Sequence, residues 1–186
     1  MFGKVAEFDR YYLIAGFREV KVSDVEGFLK KVRDLRLNVT VQFFDARYVA
    51  GWEHLFFATL NALKSFESQR NISNRLEIEV LLYASTQNQI EKAIRMVGLK
   101  PESEDVAVLM ISDSKGSLLS SLKKIEGLLG GVRDDSVISM THEKTRFIRE
   151  AFGVGDVEFE VLCRSKSEEE ALKSLIIEHM AMLSIT

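Results

Sequence analysis

The segment Val106-Ala107-Val108-Leu109-Met110-Ile111 is a continuous apolar run of strand length. A run of this kind is typical of a central strand that is covered on both faces. Outward from it, apolar and polar side chains alternate over residues 39–43 and again over 157–161, and each alternation predicts a strand. Residues 11–22 are expected to be extended, with a turn at Gly16. Together these segments predict a β-sheet.

Apolar residues between the strands recur at helical spacing. Two capping-box patterns, Ser23 to Glu26 and Thr86 to Gln89, predict helix starts, because each pairs a hydroxyl with an acidic or amide side chain three residues later. Ser167, followed by three glutamates, predicts the N-cap of the last helix. Residues 76–83 fit both the strand period and the helix period. The other predicted helices span residues 24–37, 52–68, 90–97, 118–129, 142–152 and 167–183.

Strands that interleave with helices predict an α/β fold, a mixed sheet with flanking helices, in a single compact domain over residues 1–186. The composition is that of a globular protein, with 46% hydrophobic residues, 28% charged residues and one proline. The apolar runs are far shorter than the roughly 18 residues that span a bilayer, and the N-terminus has no signal-peptide core. We therefore expect a cytoplasmic protein without membrane contact, present also in the nucleus if the cell has one.

The charge is unevenly distributed along the chain. Residues 1–100 carry 15 Lys and Arg against 12 Asp and Glu, whereas residues 101–186 carry 10 against 16. One interpretation is that both halves simply have solvated helix faces. The other is that a nucleic acid contacts the first half, where cations can meet phosphates, and that a protein contacts the acidic second half.

No enzyme signature is present in the sequence. The segment Asp113–Ser117 lacks the glycines of a phosphate-binding loop, and Gly153-Val154-Gly155 is interpreted as a turn. His54, His142 and His179 are far apart and have no cysteine or second histidine at ligand spacing, so no metal or other cofactor is expected. The single cysteine, Cys163, is interpreted as a small buried hydrophobic residue.

A resemblance to a known family lies between His54 and Gly98. This stretch contains Ala58 and Ala62 four residues apart, Arg70-Asn71-Ile72-Ser73, Leu76-Glu77-Ile78-Glu79-Val80-Leu81-Leu82-Tyr83, Gln89-Ile90, Ala93-Ile94 and Gly98. It resembles the central motif of the PRPK-binding (TPRKB-like) subunit family of the KEOPS complex, and the archaeal members most closely. The C-terminal segment Ile176–Leu183 resembles the closing helix of that family.

The resemblance also settles one assignment and exposes two departures. In the family, the leucine- and glutamate-rich segment is a helix, so residues 76–83 are assigned as helix. Asn88 stands where a basic residue is common in the family, and the region from 130 to 156, longer than in typical members, is interpreted as an added loop.

The resemblance implies a non-catalytic adaptor in the complex that installs threonylcarbamoyl on tRNA adenosine. A kinase-like ATPase subunit would be the direct partner, a metalloenzyme subunit would be an indirect partner, and the tRNA 3′ CCA end would be bound. A single-stranded RNA end needs cations for its phosphates and flat or apolar surfaces for its bases. The candidate RNA-binding residues are Lys64, Arg70, Asn71, Ser73, Arg75 and Tyr83.

The last helix supplies the candidate interface with the kinase-like partner. The residues Leu172, Ile176, Met180 and Leu183 form one apolar stripe, and further apolar residues broaden it beyond what one buried face requires. Either the broader surface docks on the partner or both stripes pack inside the domain. The candidate interface residues are Leu175, Met180, Met182 and Leu183. Two other interpretations remain open, namely a small-molecule-binding or regulatory α/β domain without nucleic acid and an enzyme with an unrecognised site.

Overall fold

A computed structural model describes residues 1–183, in which the chain forms two compact units. Unit 1 comprises Met1–Ala46 and Gly98–Val137, and unit 2 comprises Arg47–Val97 and the chain from Ile138 onward. Each unit is built from two separate stretches of sequence. The single domain expected over residues 1–186 stays a prediction.

Unit 1 contains the β-sheet. The strands are β1 (Phe2–Val5), β2 (Arg10–Arg18), β3 (Thr40–Asp45), β4 (Val106–Ser112) and β5 (Val132–Arg133). The order is β1-β2-β4-β3, with β5 also paired to β2, and every pair is antiparallel. All of β4 is buried, which confirms it as the central strand. The α/β class with helices beside a sheet is thereby confirmed. The sheet is not mixed in strand direction, because every pair described is antiparallel, and hydropathy does not encode that direction.

Gly16 lies inside β2, so the turn predicted there is wrong. The strand runs through it in register with β4, and Gly16 pairs with Ala107. Its amide donates to Oδ1 of Asp135 at 2.8 Å, and its carbonyl accepts from the amide of Asp134. The 134–135 backbone therefore packs directly on the strand, which explains a residue without a side chain here.

Two helices cover one side of this sheet. They are α1 (Val25–Asp34) and α5 (Lys115–Leu129), and they contact one another. Asp24 caps α1 by accepting from the amide of Gly27, so the predicted capping box at Ser23 is displaced by one residue. The two helices and the sheet share one apolar core, whose buried members include Leu13, Ala15, Phe28, Val32, Phe43, Val108, Met110, Leu118, Ile125 and Leu129.

Unit 2 is helical. Its helices are α2 (Trp52–Glu67), α3 (Leu76–Ser85), α4 (Ile90–Val97), α6 (His142–Ala151), α7 (Asp156–Cys163) and α8 (Glu168–Leu183). Helix α8 contacts α2, α3, α6 and α7, while α3 packs between α2 and α4. The helix assigned to residues 76–83 is confirmed, and Ser167 caps α8 as predicted. No helix among residues 1–183 combines the length and apolar character needed to cross a membrane.

Three local predictions are wrong, two in unit 2 and one in a segment that spans both units. The strand predicted at 157–161 is helix α7, in which Val157 and Val161 are one turn apart on the same face. Thr86 does not start a helix but ends α3 in the left-handed conformation. The region from 130 to 156 is not a simple loop, because it contains β5 and α6.

His54 joins α2 to α3 inside unit 2. It is buried, and its Nδ1 accepts from the amide of Ala50 at 2.9 Å while its Nε2 lies 2.8 Å from the carbonyl oxygen of Ala84. Nε2 therefore carries the proton. Burial lowers the pKa of His54 to about 4, so the ring is neutral at physiological pH. This histidine is structural.

Candidate RNA groove and partner surface

The turn between α2 and α3 is held by one buried carboxylate. Glu79 accepts from Ser65 Oγ at 3.0 Å, from the amide of Ile72 at 3.1 Å and from the amide of Ser73 at 2.8 Å. Asn71 Nδ2 donates to the carbonyl of Ser73 at 3.1 Å within the same turn. These bonds satisfy a charge that would be costly to bury without partners. They also fix the turn that carries Arg70 and Ile72.

A groove opens beside this turn, with a volume of about 830 Å³. We call it the α2–α3 groove. Its polar and charged lining consists of Asn61, Lys64, Ser65, Ser68, Arg70, Glu79, Tyr83, Gln87 and Asn88, and its apolar lining of Ile72, Leu82 and Leu183.

The electrostatics of the groove suit an anionic ligand with polar edges. Lys64 and Arg70 are exposed, and neither forms an ion pair or a side-chain hydrogen bond within residues 1–183. Nor do the amide side chains of Asn61, Gln87 and Asn88 bond to any described residue. The groove therefore offers cations and amide donors and acceptors that the fold itself leaves unused.

Tyr83 forms part of the groove wall. Burial raises the pKa of its phenol, a hydrogen bond with Ser65 lowers it by a smaller amount, and the nearby Glu79 charge raises it further. The hydroxyl therefore stays protonated at neutral pH and remains a hydrogen-bond donor.

The structure brings together three of the six candidate RNA-binding residues. Lys64, Arg70 and Tyr83 line the groove. Asn71 and Ser73 instead build the turn, Ser73 being buried. Arg75 lies outside the groove, where its Nε donates to Glu77 at 2.7 Å.

Among the lining residues that were not candidates, Asn61, Gln87, Asn88 and Ile72 bear on ligand binding. Asn61 and Gln87 are ordinary polar residues that no sequence pattern distinguishes from other amides, and Asn88 was noted only as a departure from the family pattern. Ile72 was detectable, because an isoleucine in a polar turn is unusual, and its side chain is 55% exposed.

A second groove lies between α7 and α8, with a volume of about 760 Å³. We call it the α7–α8 groove. Val157 is 78% exposed, Val161 53% and Met182 59%, so three large apolar side chains face solvent beside it. The carboxylates that line this groove are Asp156, Glu158 and Glu178. Nε2 of His179 lies 3.7 Å from Oε2 of Glu158.

The four candidate interface residues separate into three environments. Met180 is fully buried, so it belongs to the core of unit 2 and cannot meet a partner in this conformation. Leu175 is buried beneath the α7–α8 groove, and Met182 lies exposed in that groove. Leu183, the next residue, lines the α2–α3 groove.

In the described part of the chain, no group of three or more His, Cys, Asp or Glu side chains is placed so that it could hold a metal ion.

Comparisons with known proteins agree on one family. A family model described as kinase binding protein CGI-121 matches residues 17–184. The chain is 33% identical over 129 residues to the regulatory protein Cgi121 of Methanocaldococcus jannaschii, which covers 68% of this chain and 81% of that protein. It is also 33% identical over 88 residues to the KEOPS complex subunit Cgi121 of Pyrococcus abyssi, which covers 46% of this chain and 52% of that protein.

Proposed function

The chain belongs to the family of the kinase binding protein CGI-121, and on that premise we propose that it is the adaptor subunit of a KEOPS complex, with an RNA site and a protein site. In this role it binds the kinase-like ATPase subunit directly and the metalloenzyme subunit only indirectly. It performs no catalysis itself, and it acts in the cytoplasm. Its tRNA ligand is held by the 3′ CCA end.

The observation that carries the RNA proposal is the α2–α3 groove. Single-stranded RNA is held by cations along its backbone and by side chains that hydrogen-bond or stack on its bases. Lys64 and Arg70 are cations without a partner in residues 1–183, and they stand at the same groove as three free amides and Ile72. A short unpaired RNA end matches this combination, because it presents phosphates and base edges together.

The protein proposal rests on the α7–α8 groove. Exposed apolar residues that cluster beside a groove are typical of protein interfaces, and methionine adapts to varied partner shapes. Val157, Val161 and Met182 form such a cluster. We assign the kinase-like ATPase to this groove.

The RNA proposal is tested with a short oligonucleotide that ends in CCA. The double variant Lys64→Ala/Arg70→Ala should weaken binding by at least tenfold at 0.1 M salt and reduce the log–log salt slope by about 1–2, since each lost phosphate contact on a single strand removes about 0.7. Removal of the terminal CCA should weaken binding to the wild type to a similar degree.

Arg75→Ala is the matched control, because Arg75 is an equally long cation in the same turn but pairs with Glu77 outside the groove. It should leave the affinity within about twofold. If the double variant and the control bind alike, or if binding ignores the CCA end, the α2–α3 groove is not the RNA site. Retained binding of a free nucleotide instead would favour the small-molecule alternative.

A further inference from the structure

Helices α1 and α5 of unit 1 have two chemically different sides. Their inner sides pack on the sheet through Phe28, Val32, Leu118 and Ile125, all of which are buried. Their outer sides carry exposed, charged side chains.

The outer side is rich in unpaired cations. Within residues 1–183, seven exposed Lys and Arg side chains on and beside these helices form no ion pair, no hydrogen bond and no cation–π contact, whereas Lys115 at the start of α5 lies over the ring of Phe2. Of the carboxylates in the same segments, Glu126 pairs with Arg133, which leaves Asp24, Glu26 and Asp34 to balance the seven cations. The seven cations are Lys21, Lys30, Lys31, Arg33, Arg36, Lys123 and Lys124.

This excess of positive charge stands out in a chain whose net charge is −3. Uncompensated like charges repel one another and lower stability unless a ligand neutralises them. A polyanion relieves this repulsion and releases its own condensed counterions on binding, so the cations favour such a ligand.

The chemistry of the surface narrows the ligand further. Its one large exposed apolar side chain is Leu119, and none of the large hydrophobic side chains exposed on α1 or α5 is aromatic. A surface of this kind cannot stack unpaired bases and has little to insert into a lipid bilayer. It can contact phosphates in any sequence, as proteins do along the backbone of paired RNA.

We propose that the outer side of α1 and α5 is a second RNA-binding surface, which holds the phosphate backbone of a base-paired segment. This inference rests on the proposed function, in that the ligand is the RNA whose 3′ end occupies the α2–α3 groove. The two contacts differ in chemistry, because the groove recognises an unpaired end and the helical surface recognises charge.

The test uses an RNA hairpin without a single-stranded 3′ end as its probe. The triple variant Lys30→Gln/Lys123→Gln/Lys124→Gln should bind this hairpin at least tenfold more weakly than the wild type at 0.1 M salt. The log–log salt slope should fall by about 2–3, since each duplex phosphate contact contributes about 0.9. The same variant should bind the CCA oligonucleotide as tightly as the wild type.

A control variant removes the same charge from unit 2. Arg146→Gln/Arg164→Gln/Lys166→Gln changes three exposed cations that belong to unit 2 and not to α1 or α5, and it should keep hairpin affinity within about twofold. Thermal melts of all three proteins verify that the variants fold.

Two results would overturn the proposal. One is that the triple variant and the control bind the hairpin with equal affinity, or that the wild type does not bind the hairpin at all. The other is tighter binding of the wild type to vesicles containing anionic lipid than to the hairpin, lost in the triple variant. Failure of the groove proposal gives a different pattern, because it abolishes the dependence on CCA and leaves hairpin binding intact.

Discussion

Glu79 shows how a single buried residue shapes the candidate RNA site. Its carboxylate lies in the groove wall beneath Lys64 and Arg70, yet its oxygens are used by Ser65 and by two backbone amides. Its contribution is to position the turn rather than to contact RNA. In the sequence this glutamate is one of several in a helix, and only its hydrogen bonds distinguish it.

We expect Glu79→Ala to lower the free energy of unfolding by about 2–4 kcal/mol, because it leaves the amides of Ile72 and Ser73 without an acceptor. It should also weaken binding of the CCA oligonucleotide, since the turn carries Arg70. Urea denaturation measures the first effect. Glu77→Ala, which removes a salt bridge with exposed Arg75, should cost less than about 1 kcal/mol. Equal effects of the two variants would contradict the role given to Glu79.

His54 predicts a pH dependence of stability. The pKa of His54 is about 4 in the folded chain, whereas a histidine in the unfolded chain has the ordinary value of 6.5. The unfolded chain therefore binds a proton first as the pH falls. The contribution of His54 to the free energy of unfolding should therefore be constant above pH 6.5. It should decrease between pH 6.5 and 4, by about 3 kcal/mol in total. His54→Gln should remove that part of the decrease.

Urea denaturation at pH 7 and pH 4.5 checks this expectation. The loss of stability between these pH values should be about 2–3 kcal/mol larger in the wild type than in His54→Gln. His142→Gln, at a largely exposed histidine, should behave as the wild type does. Parallel pH profiles for the wild type and His54→Gln would show that the buried ring does not control acid stability.

At the scale of elements, the sequence predicted the helices better than the strands. Helical periodicity over ten or more residues gave α2 and α8 almost to their ends. The five residues of 157–161 were too short a window, because valines four apart fit one helix face as well as one strand face. Strands β1 and β5 were missed, since their four and two residues contain no readable pattern.

The strand through Gly16 gives a direct test of the close packing in unit 1. A Cβ at this position would overlap the carbonyl oxygen of Asp134 and lie 2.8 Å from Cγ2 of Val137. Gly16→Ala should therefore lower stability by about 1–3 kcal/mol. Gly127→Ala is the control, because no atom lies within 4 Å of a Cβ there, and it should stabilise α5 by about 0.5–1 kcal/mol. Thermal melts with the same sign for both variants would contradict this packing.

The end of α8 gives the test of the partner surface. Met182→Asp should weaken binding of the kinase-like ATPase by at least tenfold, because a buried anchor at an interface contributes about 2 kcal/mol or more. The variant should melt as the wild type does, since Met182 is exposed. Leu119→Asp places the same charge at an exposed leucine of α5 and should bind normally. Wild-type affinity in a folded Met182→Asp protein would remove the α7–α8 groove from the interface.

For the molecule as a whole, the charge asymmetry of the sequence matches the placement of the two grooves, although the proposed surface on α1 and α5 draws cations from both halves. Most of the α2–α3 groove comes from residues 61–88 in the basic half, and the α7–α8 groove, with its three carboxylates, comes from the acidic half. The resemblance identified the family, but it could not divide the candidate residues between the two grooves. That division depends on which side of each helix is buried, as the separation of Met182 from Met180 illustrates.

In the proposed function, the chain is an adaptor that binds RNA and a protein partner at the same time through different grooves. The most direct measurement is the affinity for the CCA oligonucleotide, taken first with the chain alone and then with a saturating amount of the kinase-like ATPase. We expect a ternary complex in which the RNA affinity of the chain changes by no more than about threefold, because the lining of the two grooves shares no residue. Displacement of the RNA by the ATPase would contradict it.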